Sequence, residues 1–160
     1  MVSSGIQRAL DVSTDIIQSD ISLKQAWNPE RNQVNSTWVL SQLLQELPGD
    51  SFKILGITDY DLYIPILTYL FGEAELGGRA AVVSIYRFQD ELYGLPANRT
   101  NLETRAVKES VHELGHTFGL VHCRRQDCVM RSSTYVEEID LKPEYFCRDC
   151  TSILDQKLRS

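Results

Sequence analysis

The sequence has 160 residues, a length that suits one domain and can bury an ordinary core without disulfides. Its formal net charge is −6 and its pI is about 5.0, which argues against nucleic acid as a partner. No run approaches the roughly 20 apolar residues of a membrane span, and the opening residues lack the order of a signal peptide. We therefore expect a cytoplasmic protein, without a membrane partner and monomeric.

The first third of the chain predicts a helix, a strand and a second helix. Residues 3–10 can start a short helix, residues 11–22 mix β-branched and polar residues as a strand does, and residues 27–36 have loop composition. The second helix is predicted by helical spacing of the apolar residues Val39, Leu40, Leu43, Leu44 and Leu47. Ser36 or Thr37 is its expected cap.

The middle of the chain predicts three strands. Residues 51–64 alternate Phe52, Ile54 and Ile57, as a buried strand does. The stretch "FGEAELGG" at residues 71–78 is short and polar on one side, which favours an edge strand. "RAAVVSIYRF" at residues 79–88 is nearly continuous in apolar residues, as an interior strand should be.

The third helix has the clearest pattern. Thr100 and Glu103 suggest a capping box, and Gly119 is placed to end the helix. One apolar stripe is formed by Val107, Val111, Leu114 and Phe118. The tail that follows reads as loop, with a short helix after Pro143 or Cys150. We therefore predict an α/β (α+β) domain with an N-terminal part, residues 1–119, and a small C-terminal part, residues 120–160.

All three histidines of the chain fall within eleven residues. His112 and His116 lie one turn apart on a helix, so both rings can reach one ion, while Glu113 can stand beside a metal-bound water. Gly119 can turn the chain back so that His122 approaches the same ion. Three histidines with an open fourth position are typical of a catalytic zinc site. Two surface histidines with an unrelated third are the plainer alternative, but the extended spacing makes it much less probable than the short motif alone would.

At these residues "HELGHTFGLVH" resembles the zinc signature of the metzincin metallopeptidases. The cysteine spacing after His122 is similar to that of the archaemetzincin family, and "NPERNQVNST", "LGITDYDLY", "FGEAELGGRAAVVS" and "EYFCRDC" agree with it. The resemblance implies a twisted, mostly parallel, five-stranded sheet whose one antiparallel edge strand, residues 71–78, lies above the active-site cleft. It also implies that Met130 lies in a tight turn beneath the metal.

The sequence departs from the family pattern in two places. The pattern has about one more residue between the methionine and the last cysteine pair, which a loop should tolerate. Family members also open with a β-strand before the first helix, whereas this sequence starts almost at the helix. We therefore expect the first strand of the sheet to be missing, which would expose a sheet edge.

Four cysteines, Cys123, Cys128, Cys147 and Cys150, make the usual closed set for a structural zinc. Successive side chains of an extended segment point opposite ways, so His122 can face one ion while Cys123 faces another. We therefore expect two zinc ions per chain, one catalytic and one structural. Two disulfides, or a redox pair at Cys147, are alternatives that a reducing cytosol and the local pattern disfavour.

The sequence predicts a zinc-dependent peptidase acting on peptides or proteins, with Glu113 as the general base of a metal-activated water. The alternative is a zinc-containing module that binds a peptide without cutting it. Glu113 favours the enzyme, because a pure binder has no need of a carboxylate there. Tyr135 could assist the oxyanion or be a plain surface residue, and Glu73 and Glu75 could simply protect a sheet edge.

Overall fold

The computed structural model describes residues 1–160 and has the mixed α+β architecture that the sequence predicts. The helices are α1 (Val2–Leu10), α2 (Ser36–Glu46), α3 (Arg99–Thr117), α4 (Val136–Leu141) and α5 (Arg148–Arg159). The strands are β1 (Trp27–Asn28), β2 (Gln33–Asn35), β3 (Ile54–Thr58), β4 (Leu62–Tyr63), β5 (Gly72–Ala74) and β6 (Ala80–Ser84). None of the helices combines the length and the apolar character that crossing a bilayer requires.

The strands form two small sheets rather than one. The order is β1-β2-β4 in the first and β3-β6-β5 in the second, where β3 is parallel to β6 and β5 is the antiparallel edge. The predicted antiparallel edge strand is therefore confirmed, but the expected single five-stranded sheet is wrong. The strand expected at residues 11–22 is also absent, and residues 27–36 contain β1 and β2 instead of a loop. Strands of two or three residues are too short to show an alternating pattern.

The sheet β3-β6-β5 lies between α2 and α3 because β6 is apolar on both faces. Every residue of β6 is buried. Gly56 of β3 makes room for α2, since a Cβ there would come within 2.8 Å of a Leu43 methyl carbon. On the other face α3 packs against both β6 and β5. The active-site helix is thus held along one face of the sheet.

The helix caps differ from those predicted. The Asn35 side chain, rather than Ser36 or Thr37, accepts the Trp38 N–H at the start of α2, at 3.0 Å. Asn98 does the same for α3 by accepting the Asn101 N–H, so the capping box expected at Thr100 is wrong. Asparagine ranks with serine as an N-cap, and propensity alone does not choose between adjacent candidates.

Two buried cations of α3 tie it to α4. Arg105 pairs with Asp90 at 2.5 Å and with Asp140 at 2.7 Å, and Lys108 donates to the Ile139 and Asp140 carbonyls, each at 3.0 Å.

The C-terminal part of the chain is not loop-like, since α4 and α5 occupy much of it. One core cluster of 13 buried residues runs from Ile6 of α1 through α3 to Leu154 of α5. The division at residue 119 stays a prediction, and this core crosses it.

Candidate metal centres

The structure brings the three histidines of the motif together. One ring nitrogen from each of His112, His116 and His122 lies within 4.8 Å of the other two. His112 is buried, His116 half-buried and His122 exposed, so the cluster opens to solvent on one side. The Nε2 atoms of His112 and His116 are 3.1 Å apart. Three nitrogens can therefore converge on one small cation while a side of it remains accessible.

Backbone carbonyls orient the first two rings. The Nδ1 of His112 lies 2.8 Å from the Val129 oxygen, and the Nδ1 of His116 lies 2.7 Å from the Leu120 oxygen. A carbonyl can only accept, so each Nδ1 carries the proton and each Nε2 is free to bind a metal. Burial lowers the pKa of His112 well below its ordinary value, and the Lys142 ammonium adds to the effect. Neutral imidazoles are the form that zinc binds.

Gly119 makes the turn that the third histidine needs. Its φ is 88°, the left-handed region that favours glycine, and the N–H groups of Phe118 and Gly119 bond to the carbonyls of Gly115 and His116. The helix ends at Thr117, and the next five residues return the chain to His122. Gly119 therefore lies two residues beyond the last helical residue.

Glu113 points into the protein beneath β5. A Cβ added at Gly72 would lie 2.7 Å from Glu113 Cγ, so only a residue without a side chain fits over this carboxylate. Burial raises the pKa of Glu113 well above its ordinary value, and the nearby Glu109 acts in the same direction. A carboxylate kept from water in this way is a competent proton acceptor at neutral pH once a cation stands nearby.

Met130 lies directly under the active-site helix. It is fully buried, and a Cβ at Gly115 would come within 2.5 Å of its sulfur atom. The Met130 carbonyl accepts the Cys123 N–H at 2.9 Å, which links this turn to the segment that carries His122. The sequence contained a signal for the close packing of Met130 against Gly115. A glycine inside a helix costs about 1 kcal/mol relative to alanine and usually has a packing reason.

A buried ion pair behind His112 was not predicted from the sequence. Lys142 has no exposed side-chain area, and its Nζ lies 2.6 Å from the Glu109 carboxylate. The same ammonium donates to the Arg131 carbonyl at 3.2 Å and lies 3.4 Å from His112 Nδ1. It therefore joins α3, the methionine turn and the ring of one candidate ligand. No local pattern relates two residues 33 positions apart, so this pair could not be predicted from the sequence.

The four cysteines form a second cluster. Their sulfur atoms lie within 4.8 Å of one another, and all four thiols are free, so the alternative of two disulfides is not what the structure contains. The pair Cys147 and Cys150 sits at the start of α5, where the helix dipole favours thiolates. Burial raises the pKa of Cys128 and Cys150. Four thiolates at one point therefore require a cation, and a buried Cys₄ set fits zinc.

Strand β5 lies next to α3, since Gly72 stands over Glu113 and the Gly77 N–H donates to the His116 carbonyl at 2.8 Å. Phe71 and Glu75 bond to β6 through the Ser84 N–H and the Ala80 carbonyl, so alternation turns the backbone groups of Gly72 and Ala74 outward. Glu73 faces the opposite side, where its carboxylate accepts from the Ser36 and Thr37 hydroxyls at the start of α2.

Comparison with known proteins gives a consistent result. The model of peptidase family M54 matches residues 16–156. An archaemetzincin of Methanocaldococcus jannaschii is 42% identical over 132 residues, which cover 82% of this chain and 72% of that protein. The crystal structure of a zinc-dependent peptidase from Methanocorpusculum labreanum superposes with a TM-score of 0.87 at 34% identity, covering 96% and 91% of the two chains. The archaemetzincin structure from Archaeoglobus fulgidus gives 0.79 at 38% identity, covering 95% and 89%.

Proposed function

The chain belongs to peptidase family M54 and is a zinc metallopeptidase; we propose that His112, His116 and His122 hold its catalytic zinc and that Glu113 is its general base. Its substrates are peptides or proteins. The observation that carries the assignment is the convergence of three ring nitrogens beside a buried carboxylate, with two rings already oriented by carbonyls.

Glu113 has two tasks in the proposed reaction. It takes a proton from the attacking water and later delivers it to the nitrogen of the leaving amine. When bound, zinc supplies a water of pKa about 7 and polarises the scissile carbonyl. Glu113 follows His112 directly in the chain and lies beneath β5. It can therefore exchange protons with a peptide lying along that strand. No covalent intermediate is needed, so the mechanism uses no Ser or Cys nucleophile.

The peptide substrate pairs with the outer edge of β5. Gly72 and Ala74 present unpaired N–H and C=O groups there, and an extended peptide adds to such an edge as one more strand. The Glu73 carboxylate accepts hydrogen bonds from the Ser36 and Thr37 hydroxyls at the start of α2. Tyr135 is exposed at the N-cap of α4.

The four cysteines hold a second, structural zinc in this proposal. Cys123 follows His122 directly, and Cys147 and Cys150 begin α5, so the ion ties the third histidine to the last helix. Free thiols in this arrangement suit a reducing compartment, which is why we assign the protein to the cytoplasm.

The test is hydrolysis of a mixed fluorogenic peptide library by zinc-loaded protein, compared with its Glu113→Gln variant. We expect the variant to keep its zinc and to lose at least about 10²-fold in rate, because it keeps the shape of the side chain but cannot accept the proton. Equal rates would show that Glu113 is not the base. An inactive wild-type protein with full zinc would favour a binding module instead.

A further inference from the structure

The turn between β5 and β6, residues 75–79, is fastened to the end of α3 at two points. The Gly77 N–H donates to the His116 carbonyl at 2.8 Å. Beside it, the ammonium group of Lys53 donates to the Gly78 carbonyl at 2.6 Å and to the Thr117 carbonyl at 2.9 Å. Lys53 directly precedes β3, so its side chain joins three elements: β3, the β5–β6 turn and the last residue of α3.

The Lys53 ammonium supplies what the end of a helix lacks. The last four carbonyls of a helix have no intrahelical partner, and the C-terminal end of the helix dipole favours a cation. Thr117 ends α3, and its carbonyl accepts a hydrogen bond from Lys53. The ammonium also lies 4.7 Å from the centre of the Phe118 ring, within the range of a cation–π contact. Lys53 is half-buried and contacts all these groups, so its position is fixed.

The elements that Lys53 joins are the ones that the proposed reaction must keep aligned. Helix α3 carries the proposed general base and two proposed zinc ligands, while β5 offers the edge on which the peptide is proposed to lie. At the start of β5, the alignment comes from the packing of Gly72 over Glu113. Beyond its end, it comes from Lys53 and from the bond between Gly77 and His116. A misplacement of about 1 Å at a reacting centre can cost about 10²-fold in rate.

We propose that Lys53 is a positioning residue of the peptidase, which locks the β5–β6 turn to the end of α3 and so aligns the substrate strand with the zinc ligands. The inference rests on the proposed function, since it requires a peptide to pair with β5 while it reaches a zinc at the histidines. Without the ammonium, the turn keeps one backbone bond to α3. A ligand that must bind zinc and pair with β5 at once should then lose affinity, whereas a ligand that binds zinc alone should not.

Two hydroxamates separate these contributions on zinc-loaded protein. Acetohydroxamate is small enough to reach only the zinc and Glu113, whereas a tripeptide that ends in a hydroxamate also pairs with β5. Their Kd values are measured by calorimetry, directly for the tripeptide and by displacement for acetohydroxamate. The ratio of the two Kd values measures how much the peptide part adds to the affinity for zinc, and it requires no turnover.

The ratio is compared in the wild type and two variants whose zinc content is measured alongside. Lys53→Met removes the ammonium and keeps an unbranched side chain of similar length. Arg79→Met is the matched control, because Arg79 ends the same turn and its side chain also donates to two backbone carbonyls. Those carbonyls belong to Ser51 and Phe52, and neither lies on α3.

We expect the tripeptide to bind the wild type more tightly than acetohydroxamate, and this advantage to fall about ten-fold in Lys53→Met, as the loss of a charge-assisted hydrogen bond predicts. The advantage should persist in Arg79→Met, with full zinc in both variants. The inference would be overturned, and the peptidase assignment left standing, by an unchanged advantage in Lys53→Met or by an equal fall in Arg79→Met. Loss of zinc or of folding in Lys53→Met would assign Lys53 to stability and overturn it as well. Failure of both hydroxamates to bind the wild type would overturn the proposed function, and the inference with it.

Discussion

Lys142 and Glu109 show how a buried ion pair behind the proposed ligands can determine whether helix α3 is stable. Both side chains are almost fully buried, so removing one partner leaves an uncompensated charge in the interior. We expect Lys142→Met to lower the free energy of unfolding by about 3–5 kcal/mol. The double variant Lys142→Met with Glu109→Gln should recover most of that loss, because it buries no charge. Urea unfolding of the zinc-loaded proteins measures this, and a double variant as unstable as the single one would contradict it.

Glu113 should make the metal-free protein less stable as pH rises. Its folded-state pKa lies above the unfolded value of 4.5 because of burial and Glu109, so the native state binds more protons than the unfolded state above that pH. The penalty is absent below pH 4.5, grows as pH rises through the window between the two pKa values, and is complete above the folded pKa.

Unfolding of chelator-treated protein across this pH range tests the expectation. Glu113→Gln should be more stable than the wild type at pH 7 and equal to it below about pH 4.5. Glu137→Gln, which changes an exposed carboxylate on α4, is the matched control and should follow the wild type. If Glu113→Gln is more stable than the wild type by the same amount at every pH, the buried charge is not the origin of the difference.

Helix α5 depends on the cysteine cluster because Cys147 and Cys150 lie at its first turn. We expect replacement of both by Ser to remove the structural zinc, which contributes on the order of 10 kcal/mol of apparent binding energy to such sites. Helical circular dichroism should fall, and zinc affinity at the histidines should drop about 10- to 100-fold, because Cys123 no longer fixes the segment after His122. Ser152→Ala, on an exposed face of the same helix, is the control and should keep both ions.

At the scale of helices and strands, the sequence predicted most of the elements that have a regular apolar pattern or a glycine boundary. Helix α3 and strands β5 and β6 could be placed because each has an apolar pattern or sits at a glycine boundary. Strand β3 was placed correctly, but the expectation that it is buried is wrong, because Phe52 and Ile57 are exposed. Strands β1, β2 and β4 have two or three residues, and their pairing is decided by contacts between distant segments such as Val34 and Leu62. The periodicity of apolar residues along the chain does not predict such long-range contacts.

The candidate site was easier to predict than the fold around it. The histidines and cysteines are candidate ligands that residue type and spacing alone can identify. Gly72, Gly115 and Lys142 act through distant partners, Glu113, Met130 and Glu109, and need the folded chain to be recognised. The glycines left a weak signal, since each stands inside a regular element where glycine is unfavourable.

For the molecule as a whole, the two clusters use one short segment for two purposes. Residues 122 and 123 point a nitrogen into one cluster and a sulfur into the other, while the Cys123 N–H holds the Met130 carbonyl beneath the active-site helix. Cys123 packs against the core that joins α1, α3 and α5, while His122 is exposed. The chain thereby positions its third candidate ligand, His122, without a strand or a helix to carry it.

The most direct test of this account is anomalous diffraction at the zinc edge from crystals of protein purified without added metal. We expect two peaks per chain, one within bonding distance of Nε2 atoms of His112, His116 and His122, and one among the four cysteine sulfurs. Glu113 should be outside both coordination shells. A single peak at the cysteines, or a histidine peak with Glu113 as a direct ligand, would contradict the proposed catalytic centre.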